Sequence, residues 1–278
     1  MTVENRSIKV GTIHTRYWAE GTRGTDVVLI HGLGGYAENW NQNFETLAMH
    51  HRVYALDLPG HGLSDKPLNA PYTMEYFAEF VHEFLQTLGL EHAHVVGHSL
   101  GGAVSTQFAI RYPQMVDKLT LVSSAGLGKE ADLPTRILTI PWLGEKLMSP
   151  SRAGIKMFLK NLVYDPSLID EPMIDVQVQM ATQPSAQTTL FKTLRAFSNL
   201  LGQKKAIYEY NIRGLTQFSK PLLLLWGRED PIVPVAHAES LAKRIPTMRL
   251  NIFEHCKHLP MVEHAQTFNN TLLDWLAG

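Results

Sequence analysis

This sequence has little cysteine, no excess of positive or negative charge and no long apolar run. Its 278 residues include one cysteine, Cys256, which excludes an internal disulfide bond and a thiolate metal cluster. The 25 Lys and Arg residues are balanced by 26 Asp and Glu residues, so nucleic acid is not an expected partner. No apolar run approaches the roughly 18 residues of a membrane span, and no signal peptide is recognisable. We therefore expect a cytoplasmic protein that has no membrane partner.

The chain does contain short apolar runs that alternate with amphipathic, helix-like stretches. This alternation is typical of an α/β fold in which helices cover both faces of a mostly parallel sheet. The predicted strands lie at 7–21 (two strands), 26–30, 52–56, 93–96, 118–122, 221–226 and 249–253. The predicted helices include one capped by Thr73, one at 100–112, one at 235–244 and one at 265–276.

The alternation stops at residue 127 and resumes after residue 214. Six prolines divide the intervening segment into helix-length pieces, and no strand-like run is present. We therefore predict a core formed by residues 1–126 and 215–278, with a helical cap at 127–214. The cap is rich in Met, Leu and aromatic residues, which favours an apolar substrate pocket, although many of these residues are expected only to pack on one another. No exposed apolar helix is expected there.

A candidate nucleophile lies in the sequence Gly97-His98-Ser99-Leu100-Gly101, which fits the pattern G-x-S-x-G. The pattern alone is weak, but here an apolar strand precedes it and a helix follows it, as a nucleophile elbow requires. The glycines permit a tight turn that exposes the serine at the carboxyl end of the sheet. This context predicts that Ser99 is a catalytic nucleophile.

A nucleophilic serine needs a histidine base and an acid that orients it, in the chain order Ser, Asp or Glu, His. Asp230 lies in the turn after one apolar strand, and His258 follows the next, so both are predicted to complete a triad. Glu229 and Asp57 are the alternative acids, and His255 is the alternative base. Asp57 is expected mainly to stabilise its own turn.

The developing oxyanion requires two backbone N–H donors. We predict that Leu100 supplies one and that Leu33, in the glycine-rich loop His31-Gly32-Leu33-Gly34-Gly35, supplies the other. His31 is expected to brace this loop. A phosphate-binding loop is the alternative, but the Lys-Ser/Thr of a P-loop is missing. His50-His51 and His92-x-His94 are weak metal signals, so neither a metal nor a cofactor is expected.

Five motifs together resemble the α/β-hydrolase superfamily. They are His31–Gly35, Asp57–Ser64, Gly97–Gly102, Trp226–Asp230 and His258. The resemblance covers nearly the whole predicted core. It implies an α/β-hydrolase fold with a mostly parallel eight-stranded sheet and a helical cap. It also implies a Ser99-Asp230-His258 triad and acyl-enzyme chemistry without a cofactor.

Two stretches, Ser123–Gly128 and Val163–Ile169, are similar to the meta-cleavage-product hydrolases, which cut carbon–carbon bonds. Three departures from that family favour ester hydrolysis instead. His98 stands where those enzymes tend to carry Asn, Leu259 where they tend to carry Trp, and Gln177 near the place of a carboxylate-binding arginine. Carbon–carbon hydrolysis, perhydrolase chemistry and a non-catalytic small-molecule receptor remain the alternatives.

The expected partner is a small, water-soluble ester with a short or medium acyl chain, bound by a monomer or homodimer. Besides the triad and the oxyanion donors, we expect a set of residues to contact the substrate: Gly32, His98, Trp142, Leu143, Val233 and Leu259. For His98 a structural role is the alternative, because the elbow directs the Ser99 side chain, and not that of its neighbour, into the site.

Overall fold

The computed structural model describes residues 3–278 and has an eight-stranded sheet at its centre. The strands of this sheet are β1 (Arg6–Val10), β2 (Ile13–Glu20), β3 (Asp26–Ile30), β4 (Arg52–Leu56), β5 (Ala93–His98), β6 (Val116–Val122), β9 (Leu222–Gly227) and β10 (Arg249–Phe253). Their order is β1-β2-β4-β3-β5-β6-β9-β10. The pairs of β2 with β1 and β4 are antiparallel, and all other neighbours are parallel. The carboxyl ends of β3, β5, β9 and β10 therefore meet at one edge.

Helices connect and cover the strands. They are α1 (Asn41–Ala48), α2 (Met74–Thr87), α3 (Leu100–Arg111), α4 (Leu133–Leu138), α5 (Leu143–Leu147), α6 (Arg152–Asn161), α7 (Glu171–Ala181), α8 (Ala186–Phe197), α9 (Lys205–Gln217), α10 (Ala236–Arg244), α11 (Pro260–Glu263) and α12 (Ala265–Ala277). The predicted α/β-hydrolase fold class is confirmed. The Thr73 hydroxyl accepts a hydrogen bond from the Tyr76 N–H, so the predicted cap of α2 is also confirmed.

Two buried apolar clusters form the core, one on each face of the sheet. One holds Phe77, Phe84 and Phe108 from α2 and α3, and the other holds Trp40 and Phe268. Strand residues alternate between these clusters, as the period of two requires: Val28 and Ile30 belong to the first, whereas Val27 and Leu29 belong to the second. The central strands are thus buried on both faces and hold the site loops rigidly.

The inserted segment, residues 127–214, differs from the sequence prediction in two places. Two short strands, β7 (Ser198–Asn199) and β8 (Gly202–Gln203), form a hairpin where no strand was expected. Such short strands carry no periodic pattern that a sequence could reveal. The proposed boundary at residue 214 lies inside α9, where Gly214 abuts the Ile110 side chain of α3. This helix therefore packs on the core while its first turns adjoin the inserted segment.

The expectation that the inserted segment has no exposed apolar helix is wrong. Neither α4 nor α6 contains a buried residue. The exposed large apolar side chains of the segment are Leu133, Trp142, Leu147, Met157, Phe158, Tyr164, Leu200 and Leu201. Within residues 3–278, no helix has the length and apolar character needed to cross a bilayer.

Candidate active site

Ser99 lies on a strained turn between β5 and α3, with φ of 52° and ψ of −118°. Its N–H donates to the Val122 carbonyl at 2.9 Å, which fixes the turn to the next strand. A Cβ added to Gly97 would lie 2.3 Å from the Gly101 carbonyl oxygen, and one added to Gly101 would lie 2.4 Å from the His31 carbonyl oxygen. Both glycines are therefore required by the close approach of the backbone. Strain of this kind is concentrated at functional sites.

The structure brings the three predicted triad residues together. The Ser99 hydroxyl lies 3.0 Å from His258 Nε2, and His258 Nδ1 lies 2.8 Å from Asp230 Oδ2. The carboxylate accepts a hydrogen bond from Nδ1–H, so Nε2 is left as an acceptor for the serine hydroxyl. Both His258 and Asp230 are buried, whereas Ser99 is half-buried. This geometry can activate a serine for attack on a carbonyl carbon.

The Asp230 carboxylate is stabilised in its ionised form. Its Oδ1 accepts from the N–H groups of Ile232 and Val233, each at 2.9 Å. Burial alone would raise the pKa of Asp230, but His258 and these two N–H groups together hold it below its ordinary value. An ionised Asp230 at neutral pH keeps His258 oriented through the hydrogen bond from Nδ1–H.

The alternative acids and base lie elsewhere. Asp57 is fully buried and accepts from Arg16, Ala37 N–H and Leu63 N–H, so it stabilises its own turn. Glu229 accepts from the Cys256 N–H at 2.9 Å. His255 is exposed, and its ring contacts Tyr164 rather than Ser99.

The glycine-rich loop after β3 lies against the nucleophile. A Cβ on Gly32 would lie 3.0 Å from the Ser99 Cβ and 3.1 Å from His98 Nδ1, so a side chain here would crowd the nucleophile. His31 donates from Nδ1 to the Gly32 carbonyl at 2.7 Å and accepts at Nε2 from the Leu58 N–H at 3.0 Å. It thus braces the loop. Neither the Leu33 N–H nor the Leu100 N–H donates a hydrogen bond to another described residue, so both remain available to an oxyanion.

Three of the predicted substrate-contacting residues have contacts within the protein. The His98 Nε2–H donates to the His258 carbonyl at 2.9 Å, and burial lowers the pKa of His98 to about 3, so this ring stays neutral. The Val233 N–H holds Asp230, while its carbonyl accepts from Trp226 Nε1. Leu259 is buried in the core cluster of Phe268. Their contacts with substrate stay a prediction.

The inserted segment reaches the site through Gln177, whose Nε2 donates to the Gly34 carbonyl at 3.2 Å. The sequence marked Gln177 only as the place of a missing arginine. Trp142 is 72% exposed, with Lys146 Nζ 5.1 Å from its ring, and its contact with substrate stays a prediction. Leu143 is half-buried at the start of α5, which packs against α8. In the part of the chain described, no group of three or more His, Cys, Asp or Glu side chains could hold a metal.

A strained serine turn, a histidine and a carboxylate at the edge of a mostly parallel sheet define an α/β hydrolase. A family model described as alpha/beta hydrolase fold matches residues 26–265, and the chain belongs to this family.

Two curated relatives and one solved structure are similar to the chain. A dihydrolipoyllysine-residue acetyltransferase component of the acetoin cleaving system of Cupriavidus necator is 33% identical, over 97% of this chain and 68% of that protein. A 2-hydroxy-6-oxononadienedioate/2-hydroxy-6-oxononatrienedioate hydrolase of Cupriavidus pinatubonensis is 31% identical, over 93% of this chain and 89% of that protein. A meta-cleavage product hydrolase from Pseudomonas fluorescens superposes with a TM-score of 0.84 over 99% of this chain and 98% of that chain. The last is 24% identical and shows the fold alone.

Proposed function

We propose that this α/β hydrolase cleaves carboxylic esters with short or medium acyl chains, through Ser99, His258 and Asp230. The observation that carries the proposal is the continuous hydrogen-bonded chain from the Ser99 hydroxyl through His258 to Asp230, with distances of 3.0 and 2.8 Å. It lies beside two backbone N–H groups that are free to hold an oxyanion.

In the acylation step, His258 Nε2 takes the proton of the Ser99 hydroxyl as the oxygen attacks the ester carbonyl. The N–H groups of Leu33 and Leu100 stabilise the resulting oxyanion, and the N-terminus of α3 adds a favourable dipole. His258 then protonates the departing alcohol. Water repeats these steps on the acyl-enzyme and releases the acid.

The surroundings of the loop favour a neutral acyl group over a dienoate carboxylate. The segment contains four arginines, at positions 136, 152, 195 and 213. Arg152 and Arg195 form ion pairs with carboxylates of the same segment, and Arg136 donates to the Leu200 carbonyl. Arg213 is exposed on α9. The segment's side chains at the glycine-rich loop include the neutral amide of Gln177, which donates to the Gly34 carbonyl, and the apolar Leu190, whose Cδ1 would lie 3.0 Å from a Cβ on Gly34.

Carbon–carbon hydrolysis is the second candidate, and the 31% identity to a dienedioate hydrolase favours it. The same serine, base and oxyanion donors can serve a ketone substrate, so the triad geometry does not separate the two reactions. The feature that separates the two reactions is whether a cationic side chain binds the carboxylate of the dienoate substrate.

The test is hydrolysis of p-nitrophenyl acetate, butyrate, octanoate and palmitate, with a ring-fission dienoate as the competing substrate. We expect turnover of acetate and butyrate that disappears in Ser99→Ala and His258→Ala. Palmitate is included because the exposed apolar side chains of α4–α6 are also compatible with longer acyl chains.

His255→Ala is the matched control, since this histidine is three residues away and exposed. It should retain wild-type turnover. Fast cleavage of the dienoate with feeble ester cleavage would replace the proposal with the carbon–carbon reaction. A folded wild-type protein that is inactive on every substrate would favour a receptor.

A further inference from the structure

Glu263 lies at the end of α11, five positions after the base, and its carboxylate is surrounded by donors from the His258 loop. Oε1 accepts from the Lys257 N–H at 2.8 Å, from the Leu259 N–H at 3.4 Å and from the Cys256 thiol at 3.5 Å. The N–H groups on both sides of His258 in the chain are therefore bound by one oxygen atom.

The second oxygen of Glu263 binds the inserted segment. Oε2 accepts from the Tyr164 N–H. Nearby, the His258 N–H donates to the Leu162 carbonyl at 2.9 Å, and Lys257 Nζ reaches the Asn161 carbonyl at 3.4 Å. The loop that carries the base is thus joined directly to residues 161–164, which comprise the last residue of α6 and the three that follow it.

The chemistry of these contacts requires a carboxylate at this position. An ionised carboxylate is an acceptor at both oxygens, whereas an amide accepts at one end and donates at the other. All four partners of the Glu263 carboxylate are donors, and the carboxylate itself adds no donor. Burial and the nearby Glu263 raise the pKa of the Cys256 thiol, which therefore stays protonated and serves as one of those donors.

We propose that Glu263 is a positioning residue for His258: it holds the backbone of the base in register with both Ser99 and residues 161–164 of the inserted segment. It touches neither the reacting atoms nor the imidazole ring. Its effect is on the placement of Nε2, and displacements of about 1 Å at a reacting group can lower a rate about 100-fold. The inference rests on the proposed role of His258 as the base.

The test measures how fast a fluorophosphonate probe labels Ser99, together with kcat and KM for p-nitrophenyl butyrate. In Glu263→Ala we expect both the labelling rate and kcat to fall about 10- to 100-fold, with KM nearly unchanged. In Glu263→Gln we expect a smaller fall, since the amide can still accept from one side. Glu254→Gln is the matched control, because Glu254 is an exposed carboxylate on the same loop that pairs with Arg228.

Thermal unfolding is followed for each variant, and Glu263→Gln carries the test if Glu263→Ala does not fold. Folded variants that label Ser99 at the wild-type rate would overturn the inference, as would a loss of thermal stability without a loss of kcat. If wild-type Ser99 does not react with the probe, the proposed function fails, and this inference fails with it. If the wild type and the Glu263 variants are all labelled at the normal rate, the positioning role of Glu263 is refuted while the proposed function stands.

Discussion

Buried histidines should make this protein sensitive to mild acid, and His94 offers the clearest test. His94 lies on β5, is 4% exposed and has no hydrogen-bond partner at either ring nitrogen among the described residues. Burial lowers its pKa to about 4; Asp117 opposes this shift, while Lys118, His51 and His92 add to it. The unfolded chain should titrate near the ordinary value of about 6.5.

The sign of the effect follows from proton binding. Between pH 4 and 6.5 the unfolded state binds a proton at His94 that the folded state does not, so stability falls as the pH falls. For a folded pKa of about 4, the free energy of unfolding at pH 5 is lower by about 2 kcal/mol than at pH 7.5, from this residue alone. His94→Leu removes the titrating group, and its packing effect is the same at both pH values.

The assay is urea unfolding of the wild type and His94→Leu at pH 7.5 and pH 5. The variant should lose about 2 kcal/mol less than the wild type between these two conditions. His50→Gln, a change at an exposed histidine, should lose as much as the wild type. Equal losses in the wild type and His94→Leu would refute the reasoning, since they would mean that His94 binds its proton equally in both states.

Three further predictions concern the site itself. Gly32→Ala places a Cβ 3.0 Å from the Ser99 Cβ, so kcat for p-nitrophenyl acetate should fall about 100-fold, whereas an unchanged kcat would refute the role of this loop. Gly101→Ala places a Cβ 2.4 Å from the Ile30 carbonyl oxygen, so urea unfolding should show a loss of about 3 kcal/mol, and a loss below about 1 kcal/mol would contradict the close contact. Gln177→Arg puts a cation beside the Gly34 carbonyl, so KM should fall for an ester that carries a carboxylate on its acyl chain but not for a neutral ester of equal length. Equal KM changes for both esters would mean that residue 177 does not face the acyl group.

The elements of the sheet were predictable because each central strand is an uninterrupted apolar run bounded by turn residues. β3, β4 and β10 have the predicted bounds. The run in β3 is apolar after Asp26 because this central strand is buried on both faces, whereas β10 is an edge strand in which only Phe253 is buried. The inserted segment was predictable as helical but not in detail. The β7–β8 hairpin is too short for a pattern, and the exposure of Trp142 depends on how α5 packs against α8.

The chemistry-bearing side chains were predictable from their order in the chain and from the strand ends that carry them. The hydrogen-bond partners of His98 and Val233 were not, because the chain order does not reveal which way a side chain turns. The His98 ring turns toward the His258 carbonyl, and the Val233 N–H turns toward Asp230. The sequence would be the same if the His98 side chain adopted a different rotamer, so the sequence does not predict its partner.

Backbone partners explain most of what the sequence could not reveal about this site. The His258 loop is held through N–H and carbonyl groups, with acceptors at Glu263 Oε1 and the Leu162 carbonyl and a donor at His98 Nε2. Every residue except proline carries the same backbone donor and acceptor, so no residue type signals such a contact. Only the side chain that binds the backbone can be recognised by its residue type, and in the sequence Glu263 looks like any surface glutamate on a short helix. Residues that orient a base through its backbone therefore have to be found from the fold, whereas those that act through their own side-chain chemistry can be found from the chain.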